Sequence, residues 1–164
     1  MDVFIEKIVK RKKTTVDYVF MGSVIIAAIM LSFILLPILK RFTIVLLPIV
    51  IFVVYYLAKS RNIEFEYSVT NGELDIDRII DQKKRKRVFS ADCRNFDIIA
   101  KVGSQYYTED VKKIKNVFNA ASSFKSEDLY FIQLNYRGVK TVIYFEPNEK
   151  MIDAFKIYIK SKVF

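Results

Sequence analysis

Two long apolar runs follow one another in the first third of the chain. The first extends from Val19 to Leu39, with 21 residues and no charge. At a rise of 1.5 Å per residue it covers roughly 30 Å, the thickness of a bilayer's hydrocarbon core. The second extends from Phe42 to Ala58, with 17 residues, at the short end of the spanning range. Since the two runs together exceed one crossing, they predict an antiparallel hairpin of two transmembrane helices connected at Lys40-Arg41.

A cleaved signal peptide is the competing interpretation of the first run. Its basic leader is long, and the run is longer than a typical signal-peptide core. No small-residue cleavage pattern follows before Lys40-Arg41. The sequence therefore favours a retained membrane span.

Basic residues flank the two runs and predict their orientation. The positive-inside rule places the more basic flanks in the cytosol, because cytosolic loops carry the excess of Lys and Arg. We therefore expect a two-span protein of the cell membrane with both termini cytosolic and the connection outside. The residues that set this topology are Lys7, Lys10, Arg11, Lys12, Lys13, Lys59 and Arg61.

Residues 1–18 form a basic cytosolic segment before the hairpin at 19–58. Four apolar residues in it can share one helical face: Val3, Phe4, Ile8 and Val9. One interpretation is an amphipathic helix lying on an anionic leaflet. The other, which we favour, is a charged cap that only fixes the topology.

Residues 62–164 alternate between apolar and polar positions, which is typical of β-strands. Asn71-Gly72 indicates a type I′ hairpin turn that pairs Val69 with Leu74 and Tyr67 with Ile76. A helix follows Pro147, with an apolar stripe on Met151, Ile152, Phe155, Ile159 and Tyr158. The predicted strands are 63–69, 73–80, one at Val88-Phe89, 96–102, a short one at 116–122, 129–136 and 140–145, before a helix at 148–161.

This order of elements resembles the pleckstrin-homology (PH) superfold in its bacterial membrane-protein form. The resemblance depends on the hairpin EFEYSVTNGELDID, the basic strand KKRKRVFS, the segment CRNFDIIA and the ending YFIQLNYRGVKTVIYFEPNEKMIDAFKIYI. The whole chain is also similar to a family of small uncharacterised bacterial proteins with two spans. The resemblance implies an α+β domain: an antiparallel β-sandwich or partly open barrel of six or seven strands with a C-terminal helix, behind a membrane helical hairpin.

A basic run precedes the third predicted strand. It comprises Lys83, Lys84, Arg85, Lys86 and Arg87. One hypothesis is contact with anionic lipid headgroups or with a partner, and some eukaryotic members of the superfold bind phosphoinositides. The alternative is internal pairing with acids on the neighbouring strands, in which Lys84, Lys86 or their neighbours supply the cation that Glu66 and Asp77 need to avoid repelling each other. The acids concerned are Glu66, Glu73, Asp75 and Asp77.

Composition excludes several kinds of site. With one cysteine, Cys93, and no histidine, neither an intrachain disulfide nor a Cys/His zinc site can form. A Cys93 nucleophile would lack a histidine base. The spacing of Asp75, Asp77 and Asp81 lacks the glycine and distal glutamate of a calcium loop. We expect no metal and no cofactor.

Charge distribution disfavours a nucleic-acid binder. The net charge is +9, but residues 1–61 hold nine Lys/Arg against three Asp/Glu, whereas residues 62–164 hold eighteen against fifteen. The basic excess therefore flanks the membrane runs and does not form a stripe on the folded domain. The tyrosines show no regular basic spacing of the kind that base stacking requires.

These features predict a membrane-anchored, non-enzymatic interaction module. Its PH-like domain would lie at the cytosolic face and present a strand edge or loop to a protein partner. The alternative is sensing of anionic lipid through residues 83–87. An enzyme of unknown class is a remote alternative, because paired catalytic groups are not recognisable in the sequence.

Overall fold

The computed structural model describes residues 4–39 and 43–164. They divide into two compact units, which are considered separately. One contains the residues up to Arg11 together with Glu64–Phe164, and the other contains the described part of Lys12–Ile63.

The second unit consists of two apolar helices, α1 (Thr15–Leu39) and α2 (Thr43–Lys59), with Pro37 and Pro48 inside them. Helix α1 begins four residues before the predicted run, and the Asp17 side chain supplies one half of a capping box at its start. The Asp17 carboxylate accepts the Thr14 backbone N–H at 2.8 Å and the Thr14 hydroxyl at 2.9 Å. The predicted connection at Lys40-Arg41 lies outside the described residues.

The first sheet of the other unit contains four strands in the order β1-β2-β3-β4. They are β1 (Phe4–Lys10), β2 (Ile63–Thr70), β3 (Glu73–Ile80) and β4 (Lys84–Asp92). The amphipathic helix considered for the N-terminal segment is therefore wrong. Residues 4–10 are a strand that pairs antiparallel with β2, from Phe4 opposite Thr70 to Lys10 opposite Glu64. Val3 lies outside the described residues.

Strand β1 forms because its residues alternate between the two faces of the sheet. Val9 is buried, whereas Phe4 and Ile8 point outward and are exposed. Lys7 lies on the same face as Val9, and its Nζ donates to the Pro147 carbonyl at 3.4 Å. That contact gives the ammonium a partner on an otherwise apolar face.

The predicted turn at Asn71-Gly72 is confirmed by its backbone. Both residues have positive φ, 50° and 92°, as a type I′ turn requires. A side chain at Gly72 would also approach Cys93 Sγ to 3.2 Å. The turn between β3 and β4 also has positive φ at two successive residues, Asp81 and Gln82, but neither is glycine and Lys83 adds a third loop residue.

The second sheet has the order β5-β7-β8-β6. Its strands are β5 (Phe96–Lys101), β6 (Asn116–Asn119), β7 (Tyr130–Tyr136) and β8 (Val139–Phe145). The expectation of an entirely antiparallel domain is wrong at β6, which runs parallel to β8. No tight turn joins these two strands, so hairpin geometry does not fix their relative direction.

Aromatic contacts join the two sheets and the last helix, α4 (Glu149–Ile159). The ring centroids of Tyr67 and Phe145 lie 5.8 Å apart, and those of Phe96 and Phe155 lie 6.2 Å apart. The side chain of Asn148 caps α4 by accepting the Met151 N–H at 2.9 Å. The predicted stripe is buried at Met151, Ile152, Phe155 and Ile159 and half-buried at Tyr158.

A separate apolar cluster lies between the second sheet and the segment that connects β5 to β7. That segment contains a short helix, α3 (Glu109–Lys112), as well as β6. The cluster comprises Ala100, Val111, Ala121, Leu129, Phe131, Val142 and Tyr144. Glu146 fixes one part of this segment, since its carboxylate accepts the Ser122 N–H and hydroxyl at 2.8 and 2.7 Å.

Candidate functional site

One end of the first sheet carries the basic run. At that end Lys10 lies opposite Glu64, and the chain leaves the sheet from β1 and re-enters it at β2. Because β2 and β3 are joined by the turn at the opposite end, β3 returns to the first end and pairs there with β4, Ile80 opposite Lys84. We call this the Lys10–Glu64 end, defined by Lys10, Glu64, Ile80 and Lys84.

The two arginines of the basic run form ion pairs with acids of the same sheet. Arg87 Nε donates to Asp77 Oδ1 at 2.7 Å, and its Nη1 donates to Asp75 Oδ2 at 2.6 Å. The hydrogen bond that Arg87 donates to Asp77 is the main reason that the pKa of Arg87 is raised. Arg85 forms an ion pair with Glu66. The internal pairing considered from the sequence is therefore confirmed for the arginines.

Burial of the acids explains why these pairs are needed. Glu66 is only 6% exposed and Asp77 only 8%. A carboxylate at that depth costs several kcal/mol unless a cation and hydrogen bonds compensate it. Arg85 and Arg87 therefore have a structural role in holding β4 against β2 and β3.

The lysines of the run point into solvent. Lys83, Lys84 and Lys86 are all exposed. The Lys83 ammonium lies 3.8 Å from Asp81, with three-quarters of its side chain accessible. Within the described residues, the arginines of the run thus reach the buried acids of the sheet, whereas Lys83 faces Asp81 in the turn, a distinction that sequence reasoning did not make.

The residues predicted to set the topology occupy different environments. Lys10, Lys12 and Lys13 are exposed, whereas Lys7 lies in mid-strand against Pro147. Arg11 is half-buried. At the end of α2, Lys59 Nζ lies 4.7 Å from the centroid of the Tyr55 ring.

Arg61 belongs to a contact that sequence reasoning missed. Its guanidinium lies 3.9 Å from Asp17 Oδ1 and 3.9 Å from the centroid of the Phe20 ring. Asp17 is almost fully buried. The contact joins the start of α1 to the residues after α2, and the sequence signal for it is the Thr-x-x-Asp capping pattern.

The fold and the sequence agree on the family. A family model described as "Bacterial PH-like domain (DUF6106)" matches residues 1–164. The chain belongs to this bacterial PH-like family. No curated protein and no solved structure matches the chain.

Family membership confirms the coarse prediction of fold. The PH-like domain has two sheets and a C-terminal helix, as the resemblance implied. Seven of its strands fall within residues 62–164, and β1 is an eighth. The family supports an interaction module and leaves the ligand to be established.

Cys93 in the PH-like domain is buried and in its protonated form. Burial raises its pKa to about 11, and the neighbouring Asp92 adds to the rise. A nucleophilic cysteine requires a lowered pKa, so this environment is the opposite of an activated thiol. In the described residues, no group of three Cys, Asp or Glu side chains could hold a metal ion.

A polar cleft of about 420 Å³ lies beside the start of α4 in the PH-like domain. Its charged lining residues are exposed and of mixed sign: Lys101, Asp128, Glu149, Asp153 and Lys156. A catalytic site needs convergent groups with restricted solvent access. This cleft does not bring such groups together.

Proposed function

We propose that the protein is a membrane-anchored, non-enzymatic interaction module. Two spans, α1 and α2, hold the PH-like domain at the cytosolic face of the cell membrane. The bilayer is one partner, and a protein that binds the domain is the other.

The observation that carries this proposal is the pairing of β1 with β2. Lys10 precedes the helices and Glu64 follows them, yet the two residues are directly opposite in one sheet. Both ends of the helical segment must therefore be on the same side of a bilayer. Only an even number of crossings satisfies that requirement, so if α1 crosses, α2 crosses back. Cleavage of α1 as a signal peptide would remove β1 from the sheet.

The exposure of the helices supports the same proposal. Thr15–Leu35 is long and apolar enough to cross a membrane, and none of its 18-residue window is buried; Leu47–Lys59 is a shorter apolar helix. Residues 18–39 and 43–58 contain no charged side chain. Large apolar residues such as Phe33 and Phe52 are about 70% exposed. Such surfaces are unfavourable in water and favourable among lipid chains.

Fractionation tests the anchor. The full chain should sediment with membranes and resist extraction at alkaline pH. A variant in which Asn-Gly replaces residues 12–62 should be soluble and fold cooperatively, because a two-residue turn keeps Arg11 opposite residue 63, one pair beyond Lys10 and Glu64. Recovery of the full chain in the soluble fraction would refute the anchor.

A second candidate function, contact with anionic lipid, is favoured by the position of the exposed lysines. Lys83 and Lys86 lie near the Lys10–Glu64 end of the first sheet, at which β1 ends and β2 begins. Each lysine near an anionic leaflet adds about 1 kcal/mol of attraction. The arginines contribute less, because Glu66, Asp75 and Asp77 already neutralise them.

Vesicle binding separates this candidate from simple anchoring. The soluble Asn-Gly variant would be mixed with vesicles containing phosphatidylserine and with neutral vesicles. Lys83→Gln with Lys86→Gln should weaken binding to anionic vesicles about tenfold or more. Lys113→Gln with Lys140→Gln removes the same charge outside the first sheet and should have a smaller effect. Equal losses for both pairs would exclude a specific role for residues 83–87.

A further inference from the structure

Strand β1 lies at one edge of the first sheet. Among the described residues, it pairs with β2 on one side, and no strand lies on its other side. In those residues the backbone of Phe4–Lys10 forms no hydrogen bond outside its pairing with β2. Since alternate residues of a strand direct their backbone groups to opposite sides, about half of the N–H and C=O groups of β1 face this free edge. A seven-residue row of such groups is a template for pairing with another strand.

The exposure of the side chains agrees with an open edge. Phe4 and Ile8 are outward-facing apolar residues, and 62% and 59% of their surfaces are exposed. Ile5 lies on the inward face with Val9, yet it is only half-buried, whereas Val69 opposite it in β2 is fully buried. A strand added beside β1 would therefore remove apolar surface of Ile5 and Ile8 from water.

The outward face of β1 is self-complementary in charge. Glu6, Ile8 and Lys10 follow one another on this face, and all three are exposed. Within the described part of the chain, neither Glu6 nor Lys10 forms an ion pair. If a second β1 runs antiparallel with Ile8 opposite Ile8, each Glu6 lies opposite the other chain's Lys10. Two ion pairs then flank an apolar centre, as a two-fold symmetric interface requires.

Lys7 restricts the register that two β1 strands can adopt. An inward-pointing charge on an edge strand usually opposes pairing between edges. In the register centred on Ile8, Lys7 lies opposite Val9 of the second chain, and its ammonium already donates to the Pro147 carbonyl. Registers centred on Glu6 or on Lys7 itself would place like charges opposite each other. The charges of β1 therefore favour the register centred on Ile8.

We propose that two copies of the chain associate through antiparallel pairing of their β1 strands, centred on Ile8. The two first sheets then form one continuous sheet. The inference names a second copy as a partner of the interaction module proposed above and rests on that function. One edge strand offers a small contact area, but anchoring confines both copies to one membrane and so raises their effective concentration.

Oxidative crosslinking of single cysteines in isolated membranes tests the register. In a Cys93→Ala background, Ile8→Cys places two thiols within disulfide range, because directly paired residues have Cα atoms about 5.5 Å apart. Phe4→Cys is the matched control, since Phe4 is similarly exposed on the same face but lies away from the centre. The proposal predicts a disulfide-linked dimer about tenfold or more faster with Ile8→Cys than with Phe4→Cys. Equal rates would indicate random collision and overturn the proposal.

Charge reversal tests the ion pairs with the same readout. Glu6→Lys or Lys10→Glu, each combined with Ile8→Cys, should slow crosslinking about tenfold, because like charges then lie opposite each other. Co-expression of the two variants with different tags should restore the rate in the mixed dimer, since one chain presents two lysines to two glutamates of the other. Thermal unfolding verifies that each variant remains folded. A rate that neither variant lowers, or a mixed dimer without restoration, would overturn the proposal.

Membrane fractionation of the same variants separates this inference from the function on which it rests. A chain that sediments with membranes but does not crosslink through Ile8→Cys refutes only the pairing of β1 strands. A chain recovered in the soluble fraction refutes the anchor.

Discussion

At the scale of single residues, charge alone did not reveal which basic side chains are structural. Sequence patterning identified the acids opposite the run but assigned their pairing to Lys84, Lys86 or their neighbours. The structure pairs Arg85 and Arg87 with the buried acids. Arginine suits this role because its planar guanidinium can donate to two carboxylates at once, as Arg87 does with Asp75 and Asp77.

Substitution of Arg87 tests that structural role. Arg87→Gln should lower the free energy of unfolding by about 1–2 kcal/mol, because Asp75 and Asp77 lose their shared cation, with solvent screening limiting the loss. Lys86→Gln, the matched control on the next position, should change it by less than about 0.5 kcal/mol. Chemical unfolding of the soluble Asn-Gly variant measures both. Similar values for the two substitutions would contradict the assignment.

The Cys93 thiol provides a pH-dependent test. Burial raises its pKa from 9.0 to about 11, so the thiolate fraction at pH 8 falls about 100-fold relative to the unfolded chain. The fold favours the protonated thiol. Its contribution to stability is therefore complete below pH 9 and is lost as the pH rises through 11. Iodoacetamide should modify the urea-unfolded chain at pH 8 at least 100-fold faster than the folded chain, whereas equal rates would refute the buried thiol.

At the scale of elements, the alternation of apolar residues was sufficient for most strands. The Asn71-Gly72 turn and the helix after Pro147 were predictable because local chemistry determines them. Strand β1 was missed because Lys7 occupies an inward position, and its partner strand lies more than 50 residues away. The parallel direction of β6 was missed for a similar reason, since no local turn connects it to β8.

Two neighbouring substitutions test whether β1 is a strand. Val9→Ala should destabilise the PH-like domain by about 1–2 kcal/mol, because Val9 is buried opposite Phe65. Ile8→Ala should cost less than about 0.5 kcal/mol, because Ile8 faces outward and is 59% exposed. Thermal unfolding of both variants measures the difference. A charged cap with no strand pairing would make both substitutions neutral.

At the scale of the whole molecule, the apolar helices α1 and α2 lie between β1 and β2 along the chain. The sequence predicted the apolar runs from their length and lack of charge. The sequence could not predict that β1, which precedes α1, belongs to the same sheet as β2, β3 and β4, which follow α2. If the proposed spans cross a bilayer, this long-range pairing requires an even number of crossings, because two adjacent strands cannot lie on opposite sides of a bilayer.

Accessibility of single cysteines to an impermeant maleimide tests this topology most directly. In a Cys93→Ala background, cysteine would be introduced separately as Lys12→Cys, Lys40→Cys and Lys86→Cys and labelled in intact cells. Two spans with cytosolic termini predict labelling of Lys40→Cys from outside, and of the other two only after permeabilisation. Labelling of Lys12→Cys and Lys86→Cys from opposite sides, or protection of all three in intact cells, would contradict the account.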